Sequence, residues 1–241
     1  SVVFSPDGKH ALSGSYKTLK LWEISTGREV RTFAGHTSWI DSSAFSPDGR
    51  YALYGSLDNT LRLWEVATGR EVRTFAGHID NVESVVFSPD GKYALSGSAD
   101  KIIGLWEVAT GRAVRAFAGH TDDVNSVTFS PDGKYVLSGS NDNTLKFWEA
   151  HTGRLLYTRL HIDESDWVVV TPEGRFDGSP DSMKLMHYAK GNKSIPLDAL
   201  FDQFYTPNLV AKVLSGEELP PDAPDIREGI EVPPDVRIVS P

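Results

Sequence analysis

The stretch 87–112 reads "FSPDGKYALSGSADKIIGLWEVATGR", and three other stretches say nearly the same. They are "FSPDGKHALSGSYKTLKLWEISTGR" from Phe4, "FSPDGRYALYGSLDNTLRLWEVATGR" from Phe45 and "FSPDGKYVLSGSNDNTLKFWEAHTGR" from Phe129. Trp22, Trp64, Trp106 and Trp148 follow one another at steps of 42 residues. The SPDG turns start at Ser5, Ser46, Ser88 and Ser130, and Gly-His falls at 35–36, 77–78 and 119–120. Several signals recurring in one register mean one structural unit, copied. In the third copy "VESVVF" (82–87), "KYALSGS" (92–98), "IIGLWEV" (102–108) and "AVRAFAG" (113–119) are short runs rich in apolar and β-forming residues. Tight turns join them, because proline presets φ and glycine accepts positive φ. A four-stranded sheet of this kind cannot bury both faces alone. Radial stacking of the copies, as blades, solves that problem.

A period of 42 residues with Gly-His and Trp-acid signatures resembles the WD40 repeat, with "WE" standing here for "WD". The resemblance implies an all-β WD40-type β-propeller. Its clear blades cover about 1–34, 35–76, 77–118 and 119–160. A degenerate fifth, 161–190, follows: "VVVTPEGRFDGS" (168–179) aligns with "SVTFSPDGKYVLS" at a shift of 41, and "KLMHYAK" (184–190) falls where a third strand belongs. Helically spaced apolar residues then predict a short helical tail over 191–219, with a second helix starting near Pro207 and ending at Gly216. The acidic, proline-rich stretch 220–241 reads as a linker and the possible start of a further domain. A seven-bladed ring needs roughly 290 residues. Five units therefore lead us to expect part of a longer propeller, or a ring completed by other copies of the chain. The edge around Val2, Phe4, Leu12 and Leu19 is then expected to lie against something other than solvent. Residue 1 already sits inside the repeat pattern, so the natural start is expected further upstream.

Composition removes several function classes. The net charge is −9. Residues 1–160 hold 18 acidic against 17 basic side chains, and 161–241 hold 15 against 7. Neither part has a basic surplus, so neither nucleic acid nor an anionic membrane is an expected partner. No apolar run approaches the roughly 18 residues that span a bilayer. Without cysteine there is no disulfide and no thiolate ligand or nucleophile. That composition suits the cytosol, and a cytoplasmic location is expected. The seven histidines show no metal-ligand spacing. No phosphate-binding glycine loop is present, so we expect no metal and no cofactor.

The resemblance carries a buried His–Ser–Asp–Trp network onto His120, Ser138, Asp142 and Trp148, and onto His78, Ser96, Asp100 and Trp106. Ser, His and Asp together also suggest a catalytic triad. A reacting site has no reason to be copied in each blade, whereas a structural bracket has one. No G-x-S-x-G elbow accompanies the set. Blade two keeps His36, Asp58 and Trp64, but Tyr54 replaces the serine, so its network is expected to be broken. Blade one has lost the aspartate from "SGSYKTLKLW".

Differences between copies carry the partner reading. The resemblance places partner contacts just after Gly-His and just before the turn aspartate. The first set is "TSWID" (37–41), "IDNVE" (79–83) and "TDDVN" (121–125); the second is Leu57, Ala99 and Asn141. Candidate contact residues are thus Trp39, Asp41, Asp80, Asn81, Glu83, Asp122, Asp123 and Asn125 beside those three. Trp39, where other copies have Asn81 and Asp123, is either an exposed anchor or a side chain tucked against a neighbouring blade. The expected function is a non-catalytic protein-binding scaffold. The alternative is a regulatory or sensor propeller in a bacterial multidomain effector, since residues 166–219 resemble the region after the propeller in bacterial WD40 proteins, some of which carry a caspase-like protease. No protease motif is present in the chain.

Overall fold

The SPDG turns close on themselves, and that fixes where strands begin. Ser5 Oγ donates to Asp7 Oδ1 (2.6 Å), Asp7 accepts the Lys9 N–H, and Ser5 accepts the His10 N–H. Gly8 supplies the required positive φ of 70°. The same bonds recur at Ser46–Asp48, Ser88–Asp90 and Ser130–Asp132. The opposite turn explains the glutamate of "WE". Thr26, Thr68 and Thr110 donate to Glu23, Glu65 and Glu107 at 2.5–2.6 Å, and Thr152 donates to Glu149. The longer side chain reaches the Thr-Gly turn that closes the strand pair.

The computed structural model describes residues 1–162, 165–185, 187–190, 193–196, 204–217 and 219. The chain forms two compact units, Ser1–Arg154 and Leu155–Pro241.

In the first unit, blade one contains β1 (Val2–Phe4), β2 (His10–Gly14), β3 (Tyr16–Glu23) and the start of β4 (Arg28–Phe45). Blade two contains the end of β4 with β5 (Tyr51–Ser56), β6 (Thr60–Glu65) and β7 (Glu71–Ala76). Blade three has β8 (Val82–Phe87), β9 (Tyr93–Ser98), β10 (Ile102–Glu107) and β11 (Ala113–Ala118). Next come β12 (Val124–Phe129), β13 (Tyr135–Ser140) and β14 (Thr144–Glu149). Every strand pairs antiparallel with its sequence neighbour inside the blade. The second strands of blades two and three are buried on both faces; residues 52–56 and 94–98 are all buried.

Apolar seams join consecutive blades. Leu12, Leu19, Leu21 and Phe33 pack with Ile40, Ala52, Tyr54 and Trp64. Leu53, Leu61 and Phe75 pack with Val82, Val85, Phe87 and Trp106. At each seam a phenylalanine meets the next tryptophan edge to face. The pairs are Phe33–Trp64, Phe75–Trp106 and Phe117–Trp148, with centroids 5.8–6.0 Å apart.

The boundary at 34/35 falls inside one strand. β4 runs 18 residues through Gly35-His36, because blade one lacks the aspartate turn. Ser15 O accepts the Ile40 N–H (3.2 Å) and Tyr16 pairs with Trp39, so pairing continues across the connection. Leu12 and Leu19, expected on the open edge of blade one, are instead buried in the seam with blade two, because their strand positions point to that face, whereas Val2 and Phe4 are 76% and 65% exposed.

The second unit contains β15 (Leu155–His161), β16 (Trp167–Val170) and β17 (Phe176–Gly178), consecutively antiparallel. Then come α1 (Pro180–Leu185), the hairpin β18 (His187–Lys190) and β19 (Lys193–Pro196), and α2 (Leu209–Ser215). The strand expected over 184–190 therefore differs in two ways: its first residues end α1, and β18 pairs with β19 rather than β17. Pro180 at the helix start, Asp181 in the first turn and Ser179 bonded to Ser182 (2.7 Å) supply a helix start that the repeat alignment overrode. β19 likewise lies where tail helix was expected. Gly216 ends α2 in the left-handed conformation. The first tail helix, for its residues 197–203, and the linker 220–241 lie outside the described residues.

Candidate functional site

Blades three and four each hold one continuous bonded chain. Trp106 Nε1–H donates to Ser96 Oγ (2.7 Å), which bonds His78 Nε2 (2.7 Å), and His78 Nδ1 meets Asp100 Oδ2 (2.7 Å). In blade four the distances from Trp148 to Ser138, Ser138 to His120 and His120 to Asp142 are 2.9, 2.7 and 2.8 Å. The carboxylate can only accept, so the imidazole carries its proton on Nδ1 and accepts from serine at Nε2. Each aspartate also accepts the N–H of the residue after the histidine, Ile79 or Thr121. The set thus ties the Gly-His segment, the middle strand, the turn and the tryptophan strand together. Every hydroxyl, ring nitrogen and carboxylate is consumed internally, with histidine and aspartate side chains 1–6% exposed.

Blade two breaks at one end only. His36 Nδ1 still meets Asp58 (2.9 Å), and Asp58 still accepts from Thr37 and Thr60. Tyr54, in place of serine, turns its ring into the seam. His36 Nε2, Tyr54 OH and Trp64 Nε1 are left buried with no hydrogen-bond partner. Removing the unpartnered hydroxyl while keeping the ring relieves a desolvation cost. Tyr54→Phe is therefore expected to stabilise the protein by about 1 kcal/mol in urea unfolding; a loss of that size would contradict the geometry.

Burial holds the His36 and His120 rings below the ordinary histidine value, against the pull of Asp58 and Asp142. Burial would raise the two carboxyls, but hydroxyl, backbone N–H and histidine donors outweigh it. Asp142 lies below its usual value and Asp58 falls to about 2. All four groups bind protons more readily when unfolded. Their contribution is complete above about pH 6.5, falls as the histidines of the unfolded chain charge, and falls again below about pH 4. Glu83, raised by burial and by Asp41, Asp123 and Asp80, acts in the opposite sense. The melting temperature is expected to drop steadily from pH 7.5 to 5.5 and further by pH 3.5. A flat profile down to pH 5.5 would contradict buried neutral histidines.

The two candidate contact sets meet in space. The N–H groups of Leu57, Ala99 and Asn141 donate to the carbonyls of Trp39, Asn81 and Asp123 at 2.9–3.0 Å. Ser56, Ser98 and Ser140 hydroxyls hold Trp39, Asp80 and Asp122 carbonyls. Asp41, Glu83 and Asn125 sit where the register shifts between Ile40 and Ser42, Val82 and Ser84, and Val124 and Ser126. A bulge leaves its extra residue unpaired and re-aims its side chain. Asn125 Nδ2 donates to Asn141 Oδ1 (2.6 Å). Trp39 is 52% exposed, and its ring lies against Tyr16 of blade one at 5.4 Å. It is thus both open to solvent and braced by a neighbouring blade. Sequence reasoning missed Tyr16, and within "IDNVE" it did not single out Ile79, which is 85% exposed. Ile79 could have been found, since the other copies place Thr37 and Thr121 there.

Among the described residues no group of three or more His, Asp or Glu could hold a metal ion, and no helix is long and apolar enough to cross a membrane.

The model of the WD domain, G-beta repeat, matches residues 1–23, 27–65, 69–107 and 111–149. A similar protein is an uncharacterized WD repeat-containing protein of Nostoc sp. (strain PCC 7120), 46% identical over 43 residues. That match covers 17% of this chain and 3% of the relative, so the chain spans only a small part of the protein it resembles. WD40 repeats generally mediate protein–protein interaction and are generally non-catalytic. Over more than half its length the chain carries the repeat, with its turns, seams and polar networks in one register, and it belongs to the WD40-repeat family.

Proposed function

We propose that the chain is a non-catalytic scaffold that seats a protein partner on the face bearing Trp39. The observation that carries this is the exposed Trp39 ring, braced by Tyr16 and tied through its backbone to Leu57. A large rigid aromatic half open to solvent loses little conformational freedom on binding and supplies much contact area. Ile79 adds an apolar contact, while Asp41, Asp80, Glu83, Asp122 and Asp123 give the same face a negative rim. Partners with basic groups around an apolar centre fit that surface. The Ser–His–Asp sets are consumed inside their blades, which supports binding rather than chemistry as the role of the unit.

Trp39→Ala is expected to weaken a partner recovered by affinity capture about 30-fold, or about 2 kcal/mol. Its melting temperature should stay near that of the parent. Unchanged affinity in a direct titration would overturn the placement of the partner.

A further inference from the structure

A clasp of charged and hydroxyl groups lies on the outer strands of blades one and two. Lys20 Nζ donates to Glu29 Oε2 (2.6 Å), and the Thr32 hydroxyl donates to Glu29 Oε1 (2.6 Å). In blade two Arg62 donates to Glu71 (3.0 Å), and Thr74 donates to the same carboxylate (2.6 Å). The glutamates and threonines stand on the last strand of each blade, in the first part of β4 and in β7. Charge at that position discourages a further strand from pairing with the edge. One repeat later the three positions read Gly104, Ala113 and Ala116. The ladder sets Gly104 opposite Ala116 and Trp106 opposite Ala113, so the whole clasp is missing from one patch of sheet. The bond from tryptophan to serine does not require that loss. Trp148 donates to Ser138 with Lys146 paired beside it, and Trp22 donates to Ser13 with Lys20 beside it.

Without the clasp, β11 is an open and uncharged edge. It ends its sheet, whose strand order is β11-β10-β9-β8. Ala113, Val114, Ala116 and Ala118 are exposed. Ala116 and Ala118 share one face, since they stand opposite Gly104 and Ile102. The other face is occupied. Phe117 meets Trp148, and Arg115 lies 2.5 Å from where a Cβ on Gly153 would sit. Arg31 and Arg73 make the same reach, donating to the carbonyls of Thr68 and Thr110 (2.8 and 2.6 Å). The fourth repeat shows what an edge of this kind accepts. By register β15 is its outer strand, with Leu155 where blades one and two have glutamate. It pairs antiparallel with β16, setting Thr158 opposite Val170, Arg159 opposite Val169 and Leu160 opposite Val168. Among the described residues, the outer strands that keep glutamate have no such partner on their free side. The outer strand that has leucine there has one.

We propose that the free edge of β11 is a docking site for an extended segment of a partner protein, which joins blade three as a further, antiparallel strand. Main-chain bonds to the edge supply the affinity, and alternate side chains supply the choice of partner. Cross-strand neighbours pack as pairs, so the methyl side chains of Ala116 and Ala118 favour large side chains opposite. The segment is therefore uncharged and carries β-branched or aromatic residues at alternate positions, as Trp167-Val168-Val169-Val170 does on β15. A second copy of this chain fits poorly, because β11 paired with its own sequence sets alanine beside alanine and leaves the space unfilled. The site does not rest on the function proposed for the Trp39 face.

The test adds an excess of a synthetic peptide, Trp-Val-Val-Val between flanking lysines, to the full chain. Amide hydrogen exchange across Ala113–Ala118 is expected to slow at least about tenfold, while exchange across β7 stays as it was. Two further peptides are N-methylated, each on one of the two alternate sets of backbone nitrogens. Only one set can face β11 in a ladder, so one peptide should lose the protection and the other should keep it. The double substitution Ala113→Glu, Ala116→Thr puts the blade two residues back at two exposed positions. It should leave the melting temperature near that of the parent and remove most of the protection. Protection that never appears, that falls equally on β7, that survives both methylated peptides or that survives the double substitution overturns the proposal. So does protection of β11 that grows with protein concentration in the absence of peptide, since the occupant would then be a second copy.

Discussion

Phe75→Ala is expected to lower the free energy of unfolding by about 3–5 kcal/mol, the range for deleting a buried phenylalanine. Phe75 is fully buried between blades two and three, packed with Val82 and Val85 and set edge to face on Trp106 at 6.0 Å. The cavity left behind cannot easily collapse. Both walls are strands held by their own ladders, and Arg73 pins the adjoining turn of blade three. Truncation thus removes apolar burial and an aromatic pair together. Equilibrium urea unfolding followed by tryptophan fluorescence reads the loss. A cost below about 1 kcal/mol would mean that the seam is not closely packed.

Asp142→Ala is the second large effect, with an expected cost of about 2–4 kcal/mol, because several buried donors lose their acceptor at once. The carboxylate takes bonds from His120 Nδ1, the Thr121 N–H, the Thr144 N–H and the Thr144 hydroxyl. Asp58→Ala should cost a similar amount. Its carboxylate keeps the matching bonds from His36, Thr37 and Thr60, although the serine of its network is gone. The bare sequence suggests a weaker effect at Asp58; the bonded geometry removes that ranking. A cost at Asp58 under half that at Asp142 in parallel unfolding curves would restore it.

Much of the fold is legible because one register repeats. The Trp22, Trp64, Trp106 and Trp148 spacing, the SPDG turns and the Gly-His pairs fix strand number and order before any coordinate is known. Local rules act within each copy, so agreement among copies averages out their ambiguity. Contacts between copies are harder to read. Arg31, Arg73 and Arg115 recur as regularly as the tryptophans, yet a lone exposed-looking arginine on an outer strand does not announce that it grips the next blade. Tyr54 was legible as a missing serine. That it leaves three buried atoms unpartnered required knowing where its ring goes. At 184–190 the same reliance on register misleads. Extending the 41-residue shift puts a strand over Lys184-Leu185, while Ser179-Pro180-Asp181 carries the local chemistry of a helix start. When a copy is degenerate, local capping outweighs periodicity. At the contact face, the residues that differ between copies were legible as a set. Tyr16 was not, because its approach to Trp39 depends on the aspartate that blade one has lost.

The central claim is that the repeated Ser–His–Asp sets are brackets that hold blades rather than groups that react. Equilibrium unfolding of Ser138→Ala beside Tyr54→Phe tests it most directly, since both act at the same register in different blades. Ser138 bonds His120 Nε2 and Trp148 Nε1, so its removal leaves two buried atoms unpartnered. Tyr54 contributes a buried hydroxyl that bonds nothing. The bracket account requires opposite signs: a loss of about 1–3 kcal/mol for Ser138→Ala and a gain of about 1 kcal/mol for Tyr54→Phe. A Ser138→Ala protein as stable as the parent would contradict it.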